Sequence, residues 1–310
     1  MTILVTGGAG FIGSHVTDAL VADGHDVHVI DDFSAGKREN LNPRATLHEL
    51  DIRTDDAASL FATNRYEALV HLAAQMDVRR SVADPRFDAD INIGGILNLM
   101  EAGRRNGLRK VVFSSTGGAI YGEPDYAPQD EDHPMRPLSP YGITKLTTEK
   151  YLYFYEHAYD IAFVSLRYGN VYGPRQNPHG EAGVVAIFVQ RLSSGKPATI
   201  FGDGGQTRDY VYVGDVVRAN TAALAYDGSG TFNVGTSTET SVNELYDVLR
   251  DRIEPSAAAD YAPARTGEQM RSVLDYRLAQ SKLGWTPDVD IRDGLNRTVD
   301  WFAEIREASA

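Results

Sequence analysis

Thr2-Ile3-Leu4-Val5-Thr6-Gly7-Gly8-Ala9-Gly10-Phe11-Ile12-Gly13 is the stretch whose reading decides the fold. A β-branched run gives way to glycines spaced G-x-x-G-x-x-G. A helical pattern follows, with Val16, Leu20 and Val21 apolar and Asp18 and Asp23 polar. Strand, glycine turn and helix thus arrive in the order a dinucleotide site needs. Gly7 permits the tight turn, Gly10 lets the backbone approach a pyrophosphate, and Gly13 lets the helix pack closely on the strand. The phosphates would sit on the helix N-terminus at Phe11 and Ile12, held by free N–H groups. The spacing is one residue wider than the commonest fingerprint, and these glycines alone would equally suit a plain turn.

The next stretch separates the two readings. Residues 25–30, His-Asp-Val-His-Val-Ile, form a second strand pattern that ends in Asp31-Asp32. A carboxylate about 20 residues after the glycines, at a strand tip, can accept both adenosine ribose hydroxyls and would repel a 2′-phosphate. The cofactor expected is therefore NAD, not NADP.

The alternation of strand and helix then continues. Strands are expected over 46–50 and 68–72, with Asp51-Ile52 and Ala73-Ala74 at their ends, and a single long helix over 86–105. His71 falls inside an apolar strand, where a satisfied core histidine is the expectation. Residues 110–113 form another strand, ending in Ser114-Ser115-Thr116-Gly117-Gly118. Hydroxyls clustered at the carboxyl end of a buried strand lie where an open parallel sheet binds its ligand. A sixth strand is expected over 162–167. Beyond Pro174 the alternation weakens and Pro, Gly and Asp become frequent. The fold expected is α/β: a Rossmann doubly wound parallel sheet over 1–173, with 215–235 a candidate to return to it, and a smaller α/β substrate lobe over 174–310.

A helix beginning near Tyr141, in Pro140-Tyr141-Gly142-Ile143-Thr144-Lys145, puts a phenol and an ammonium just over one turn apart on one face. A neighbouring ammonium favours the phenolate, so a Tyr141 pKa below the ordinary value is expected, as a general base requires.

Composition bounds the rest. At 310 residues the chain can bury a sizeable core, and its net charge of −13 argues against a nucleic-acid or anionic-membrane surface. No apolar run approaches the length of a membrane span, and no basic leader precedes Thr2. Cysteine is absent, which removes disulfides, thiolate metal sites and cysteine nucleophiles; a reducing cytoplasm fits. No metal is expected.

With these pieces in place the chain resembles the extended short-chain dehydrogenase/reductase family, and within it the UDP-glucose 4-epimerases of the compact prokaryotic kind. The residues that carry the resemblance are the glycine turn, the run from Asp31 to Leu41, S-S-T-G-G-A-I-Y-G from Ser114, Pro140-Tyr141-Gly142, the L-R-Y-G-N-V-Y-G-P run from Leu166, and Arg208-Asp209-Tyr210-Val211. The resemblance implies an NAD-dependent isomerase that inverts C4 of a UDP-hexose through a 4-keto sugar. Tyr141 would be the base and Lys145 would bond the nicotinamide ribose. Thr116 would hold the sugar O4, with Ser115 as the alternative because Gly117-Gly118 lengthens this loop. Asp31, Asp32 and Lys37 would border the adenosine ribose, and Asp51 and Ile52 the adenine. Leu72, Ala73, Ala74, Asn92, Ser114 and Tyr168 would complete the cofactor channel. Asn170, Arg208 and Arg265 would contact the diphosphate, with Tyr210 and Glu268 near the uridine. Ser272 would leave room for a 2-acetamido group, which implies UDP-GlcNAc as a second substrate.

The family also implies a homodimer packed through helices 86–105 and 141–157. Two rival readings come from the same superfamily. A 4,6-dehydratase places an Asp-Glu pair where this chain has Gly117-Gly118. A UDP-glucuronate 4-epimerase shares the C4 chemistry. A non-catalytic NAD-binding protein would be expected to lack Tyr141 or Lys145.

Overall fold

The computed structural model describes residues 1–178, 183–264 and 269–308. The opening β-branched run is strand β1 (Thr2–Thr6), followed by helix α1 (Phe11–Ala22) and β2 (Asp26–Ile30). Then come β3 (Thr46–His48), α2 (Asp55–Asn64) and β4 (Ala68–His71). Short helices α3 (Val78–Ala83) and α4 (Pro85–Ala89) lead through a wider-wound turn, Asp90–Gly95, into α5 (Ile96–Arg105). The single helix expected over 86–105 is thus two α-helical pieces joined by one wider-wound turn. The wide turn carries Asn92, whose amide is buried among polar partners and holds the winding open.

β5 (Lys110–Thr116), α6 (Gly117–Tyr121), α7 (Pro140–Tyr159) and β6 (Ala162–Tyr168) complete the first run. Helix α7 starts where the sequence dictates. Ser139 accepts the Gly142 N–H, and Pro140 supplies a fixed φ at the first helical position, where its missing N–H costs nothing. Tyr141 is thereby fixed in the first turn.

The second half holds β7 (Asn170–Tyr172), α8 (Val184–Ser193), β8 (Thr199–Phe201), β9 (Thr207–Arg208), β10 (Tyr210–Tyr212) and α9 (Val213–Ala225). It continues with β11 (Gly230–Val234), β12 (Thr240–Ser241), α10 (Val242–Ile253), β13 (Asp260–Ala262), α11 (Arg277–Leu283) and α12 (Ile291–Ala308).

Seven strands form one sheet in the order β11-β6-β5-β4-β1-β2-β3, and every pairing in it is parallel. The order reverses between β1 and β4, and at such a crevice open α/β sheets bind their ligands. Alternation along β1 sends Ile3 and Val5 into one apolar layer and Leu4 into the other, so both faces are covered. Each fully enclosed aliphatic side chain contributes about 1.5–3 kcal/mol. A third core, built from Val185, Phe188, Leu245, Leu249 and Leu295, belongs to the second lobe.

The second half does not stay in its own lobe. β11 pairs with β6 in the main sheet, α9 packs against α1, and Trp285 is buried in the first apolar layer. β11 and α9 fall within residues 213–234, whereas α11 and Trp285 come from much farther along the chain.

The tightest point of the fold is the glycine turn. A Cβ on Gly13 would stand 2.0 Å from the Gly7 carbonyl oxygen, which has no room to yield. Gly13→Ala is therefore expected to cost about 1–3 kcal/mol as an overpacking change; an unchanged thermal midpoint would contradict this account of the turn.

Candidate active site

The glycine turn has the shape of a cradle. Gly7 lies at φ +72°, and a Cβ on it would meet the Ala73 nitrogen at 2.8 Å. Gly10 caps α1 without any side-chain bond, and no acidic residue occupies the first turn. The N–H groups of Phe11, Ile12 and Gly13 have no intrahelical acceptor there, which suits an anion.

At the tip of β2, Asp31 is 7% exposed. Its Oδ2 accepts the Ala9 N–H and its Oδ1 the Phe33 N–H, both at 2.9 Å. Each oxygen keeps a second lone pair, enough for two neighbouring ribose hydroxyls. Burial pushes its pKa up, and the two N–H bonds oppose this. Gly36 approaches so closely that a Cβ on it would lie 2.6 Å from Asp31 Oδ1. The cradle, the open helix end and this carboxylate together fit a dinucleotide.

The neighbouring residues take up varied work. Asp32 accepts the N–H and hydroxyl of Ser34. Lys37 gives its backbone N–H to Ala9 and pairs its ammonium with Glu39, at the surface. Asp51 is paired with Arg53, which holds its pKa down. Ile52 packs against Gly95. Leu72 and Ala73, followed by Ala74, run beside Thr6, giving their N–H groups to its carbonyl and hydroxyl oxygens. Asn92 is committed to Gln75, Asp88 and Thr144. His71 is a core histidine, bonded to the Thr6 hydroxyl at 2.8 Å.

The hydroxyl row on β5 is sorted by the strand's own alternation. Ser115 turns to the buried side and donates to Glu149 Oε1 at 2.6 Å. Ser114 and Thr116 lie on the opposite face and are only partly enclosed. Thr116 receives the Ala119 N–H at 3.4 Å, a long cap that leaves the hydroxyl proton uncommitted. Of the two candidates, Thr116 is the one free to meet a ligand.

Lys145 is 3% exposed and donates to the Ser114 carbonyl oxygen at 2.7 Å. Its nitrogen stands 4.7 Å from the centre of the Phe113 ring and 5.8 Å from that of Tyr141. Burial pulls its pKa down to about 8 against the upward pull of Asp88 and Glu149. Tyr141 departs from expectation. Its pKa is raised, first by burial and then by the Asp88 carboxylate. Loss of water around the phenol and the carboxylate behind it outweigh the ammonium one turn away.

Tyr168 is buried, and its hydroxyl accepts an N–H of Asn220 at 2.9 Å. On the substrate side, Asn170 opens β7 and gives its backbone N–H to Asp209. Tyr210 packs edge-on to Tyr172 inside the second lobe's core. Arg208 donates to the carbonyls of Thr207 and Gln269, which leaves its charge without a carboxylate partner among the described residues. Ser272 is 2% exposed, with Oγ 3.2 Å from where a Gly118 Cβ would stand, so it faces α6 instead of solvent. Arg265 and Glu268 lie outside the described residues.

Sequence reasoning passed over Glu149, though its signal was present: Tyr141, Lys145 and Glu149 recur every fourth residue of α7. Glu149 is ion-paired with Arg167 of β6 at 2.6 Å, both side chains only 4% exposed. In the sequence Asp209 stands out only as part of the Arg208-Asp209-Tyr210-Val211 run. It is buried, and its oxygens gather bonds from Thr236, Ser237 and Leu274; burial raises its pKa to about 6.

Known proteins share this shape and much of this sequence. Residues 3–235 match the model of the NAD dependent epimerase/dehydratase family. A UDP-glucose 4-epimerase of Mycolicibacterium smegmatis is 46% identical over 308 residues, covering 97% of this chain and 98% of its own. The crystal structure of a UDP-glucose 4-epimerase with UDP-glucose from Thermotoga maritima superposes with a TM-score of 0.97 at 48% identity, covering 99% of this chain and 100% of that one. A UDP-N-acetylglucosamine 4-epimerase of Methanobrevibacter ruminantium, in complex with UDP-N-acetylmuramic acid, gives 0.93 at 35% identity, covering 98% of each chain. On cofactor cradle, fold and sequence alike, the chain belongs to the NAD dependent epimerase/dehydratase family.

Proposed function

We propose that this protein is a UDP-hexose 4-epimerase that interconverts UDP-glucose and UDP-galactose, and UDP-GlcNAc with its C4 epimer, through a transient 4-keto sugar. The observation that carries the reading is Lys145, which stands 5.8 Å from the Tyr141 ring and donates to the Ser114 carbonyl near the carboxyl end of β5, the strand that Thr116 ends. NAD, when bound, supplies the hydride acceptor for C4, the hydride donor for the return step, and a positive ring near the phenol. Tyr141 takes the O4 proton as hydride leaves C4 and returns it when the keto sugar is reduced from its other face. Thr116 hydrogen-bonds O4 and steadies the charge that develops there. Lys145 counters the forming phenolate from beneath the ring. Arg208 and Asn170 hold the diphosphate, so the keto sugar turns while still tethered.

Packing around α6 supports epimerisation over dehydration. A Cβ on Gly117 would meet Leu274 at 2.5 Å, and the two glycines bring no acid–base pair. Ser272, opposite Gly118, is small enough to leave room for an acetamido group.

We place the enzyme in the cytoplasm, where NAD and nucleotide sugars are available, and read it as a homodimer. The dimer reading is supported by exposed Tyr151, Tyr153 and Phe154 on α7, Tyr153 being 62% exposed. No helix of the described residues is long and apolar enough to cross a membrane.

Purified protein given UDP-galactose without added NAD is expected to form UDP-glucose; absence of any epimer would sink the proposal. Tyr141→Phe should lower kcat by roughly 10²–10⁴-fold, the usual contribution of a positioned acid–base group; a loss below tenfold would remove Tyr141 from the role. Ser272→Tyr should abolish turnover of UDP-GlcNAc and spare UDP-glucose. Equal loss on both sugars would show that Ser272 does not shape the acetamido site.

A further inference from the structure

Behind Tyr141 and Lys145 lies a carboxylate that the proposed reaction does not use. Asp88 on α4 is fully buried. Its Oδ2 accepts the Thr144 hydroxyl at 2.9 Å, and its Oδ1 accepts side-chain N–H groups of Gln75 at 2.9 Å and Asn92 at 3.1 Å. All three partners are neutral. A charge removed from water without an ion pair is expensive unless something close by balances it.

Thr144 stands in sequence between Tyr141 and Lys145, and its hydroxyl oxygen is also 3.0 Å from the Tyr141 carbonyl oxygen. The charged and titratable groups facing Lys145 come from three elements: Asp88 of α4, Glu149 and Tyr141 of its own helix, and His71 of β4. Glu149 is neutralised by Arg167. His71 is held neutral, its pKa pushed down to about 3 by burial and by the Lys145 ammonium. Tyr141 faces Asp88 and, across its ring, Lys145. The carboxylate left to balance Lys145 is therefore Asp88.

We propose that Asp88 is a positioning residue for the proton-transfer pair: through Thr144 its carboxylate fixes the turn of α7 that carries Tyr141 and Lys145, and its charge balances the Lys145 ammonium. The inference rests on Tyr141 and Lys145 having the roles given above. One negative charge acts on both partners in the same sense, favouring the ammonium and disfavouring the phenolate. Its removal must move both titrations to lower pH.

Asp88→Asn separates charge from shape. The amide oxygen keeps the bonds from Gln75 and Asn92, and the amide N–H donates to Thr144, whose own proton turns to the Tyr141 carbonyl. The chain has six lysines, few enough to follow Lys145 by NMR of protein labelled with ¹³C at lysine Cε, its signal assigned with Lys145→Met. In Asp88→Asn the Lys145 titration is expected to fall by about one pH unit, the low end of a neighbouring charge's effect. Both limbs of the kcat–pH profile on UDP-galactose should move down with it. Thr144→Val, which keeps the charge and removes the anchor, should lower kcat while Lys145 titrates where it does in wild type.

A folded Asp88→Asn protein whose Lys145 titration and limbs stay in place overturns the proposal, as does a Thr144→Val shift as large as that of Asp88→Asn. Failure of Asp88→Asn to fold also overturns it, since an amide must satisfy the same partners. A shifted Lys145 signal in a protein that epimerises no UDP-sugar would uphold the charge balance and remove the proposed reaction.

Discussion

A guanidinium buried in a sheet has to be answered in place, and the Arg167–Glu149 pair is the contact on which the site's geometry rests. Removing either partner would leave the other charge uncompensated, at a cost of about 3–5 kcal/mol. The pair does more than cancel charge. Glu149 takes the Ser115 hydroxyl as well, while Arg167 reaches the Tyr121 hydroxyl at 2.7 Å. Tyr121 donates to Asn233 on β11, whose amide donates to the carbonyls of Gln129 and Asp275. One polar chain therefore runs from the hydroxyl row of β5 through α7, β6 and α6 to the segment that carries Ser272. Cofactor side and substrate side are held in register by satisfied buried groups, which tolerate little displacement.

The same enclosure sets the electrostatics. Burial drives the phenol and the ammonium in opposite directions, Tyr141 away from its phenolate and Lys145 toward neutrality. Each is the less charged form that a low-dielectric interior prefers. The protein part of the site thus keeps the phenol protonated, and the phenolate is favoured only when further positive charge lies beside it. In the proposed reaction Tyr141 would thus become a base only alongside its hydride acceptor, and it would be protected from proton exchange at other times.

Much of this was legible in the residues. The glycine spacing, Asp31 and the hydroxyl cluster at the end of β5 identify a dinucleotide fold because each answers a local geometric demand. That Ser115 faces Glu149 while Thr116 lies on the other face follows from strand alternation once the bounds of β5 are known. The sign of the Tyr141 shift was not legible, because spacing along a helix shows the ammonium but neither the water removed nor Asp88, which arrives from another helix. The broken winding around Asn92 was hidden for a similar reason: the polar partners that stabilise it lie at Gln75 and Thr144, far away in sequence. Arg265 and Glu268 remain expectations from resemblance.

The return of β11, α11 and Trp285 to the first lobe has a consequence for how the chain is made. Vectorial synthesis delivers β1 to β6 early, yet the strand that covers the open edge of β6 and the indole that fills the apolar layer emerge much later. Until then the nascent sheet carries an unpaired parallel edge, the kind of surface that recruits other chains. The cofactor lobe is thus complete only after most of the substrate lobe has been translated, and the two halves mature as one unit.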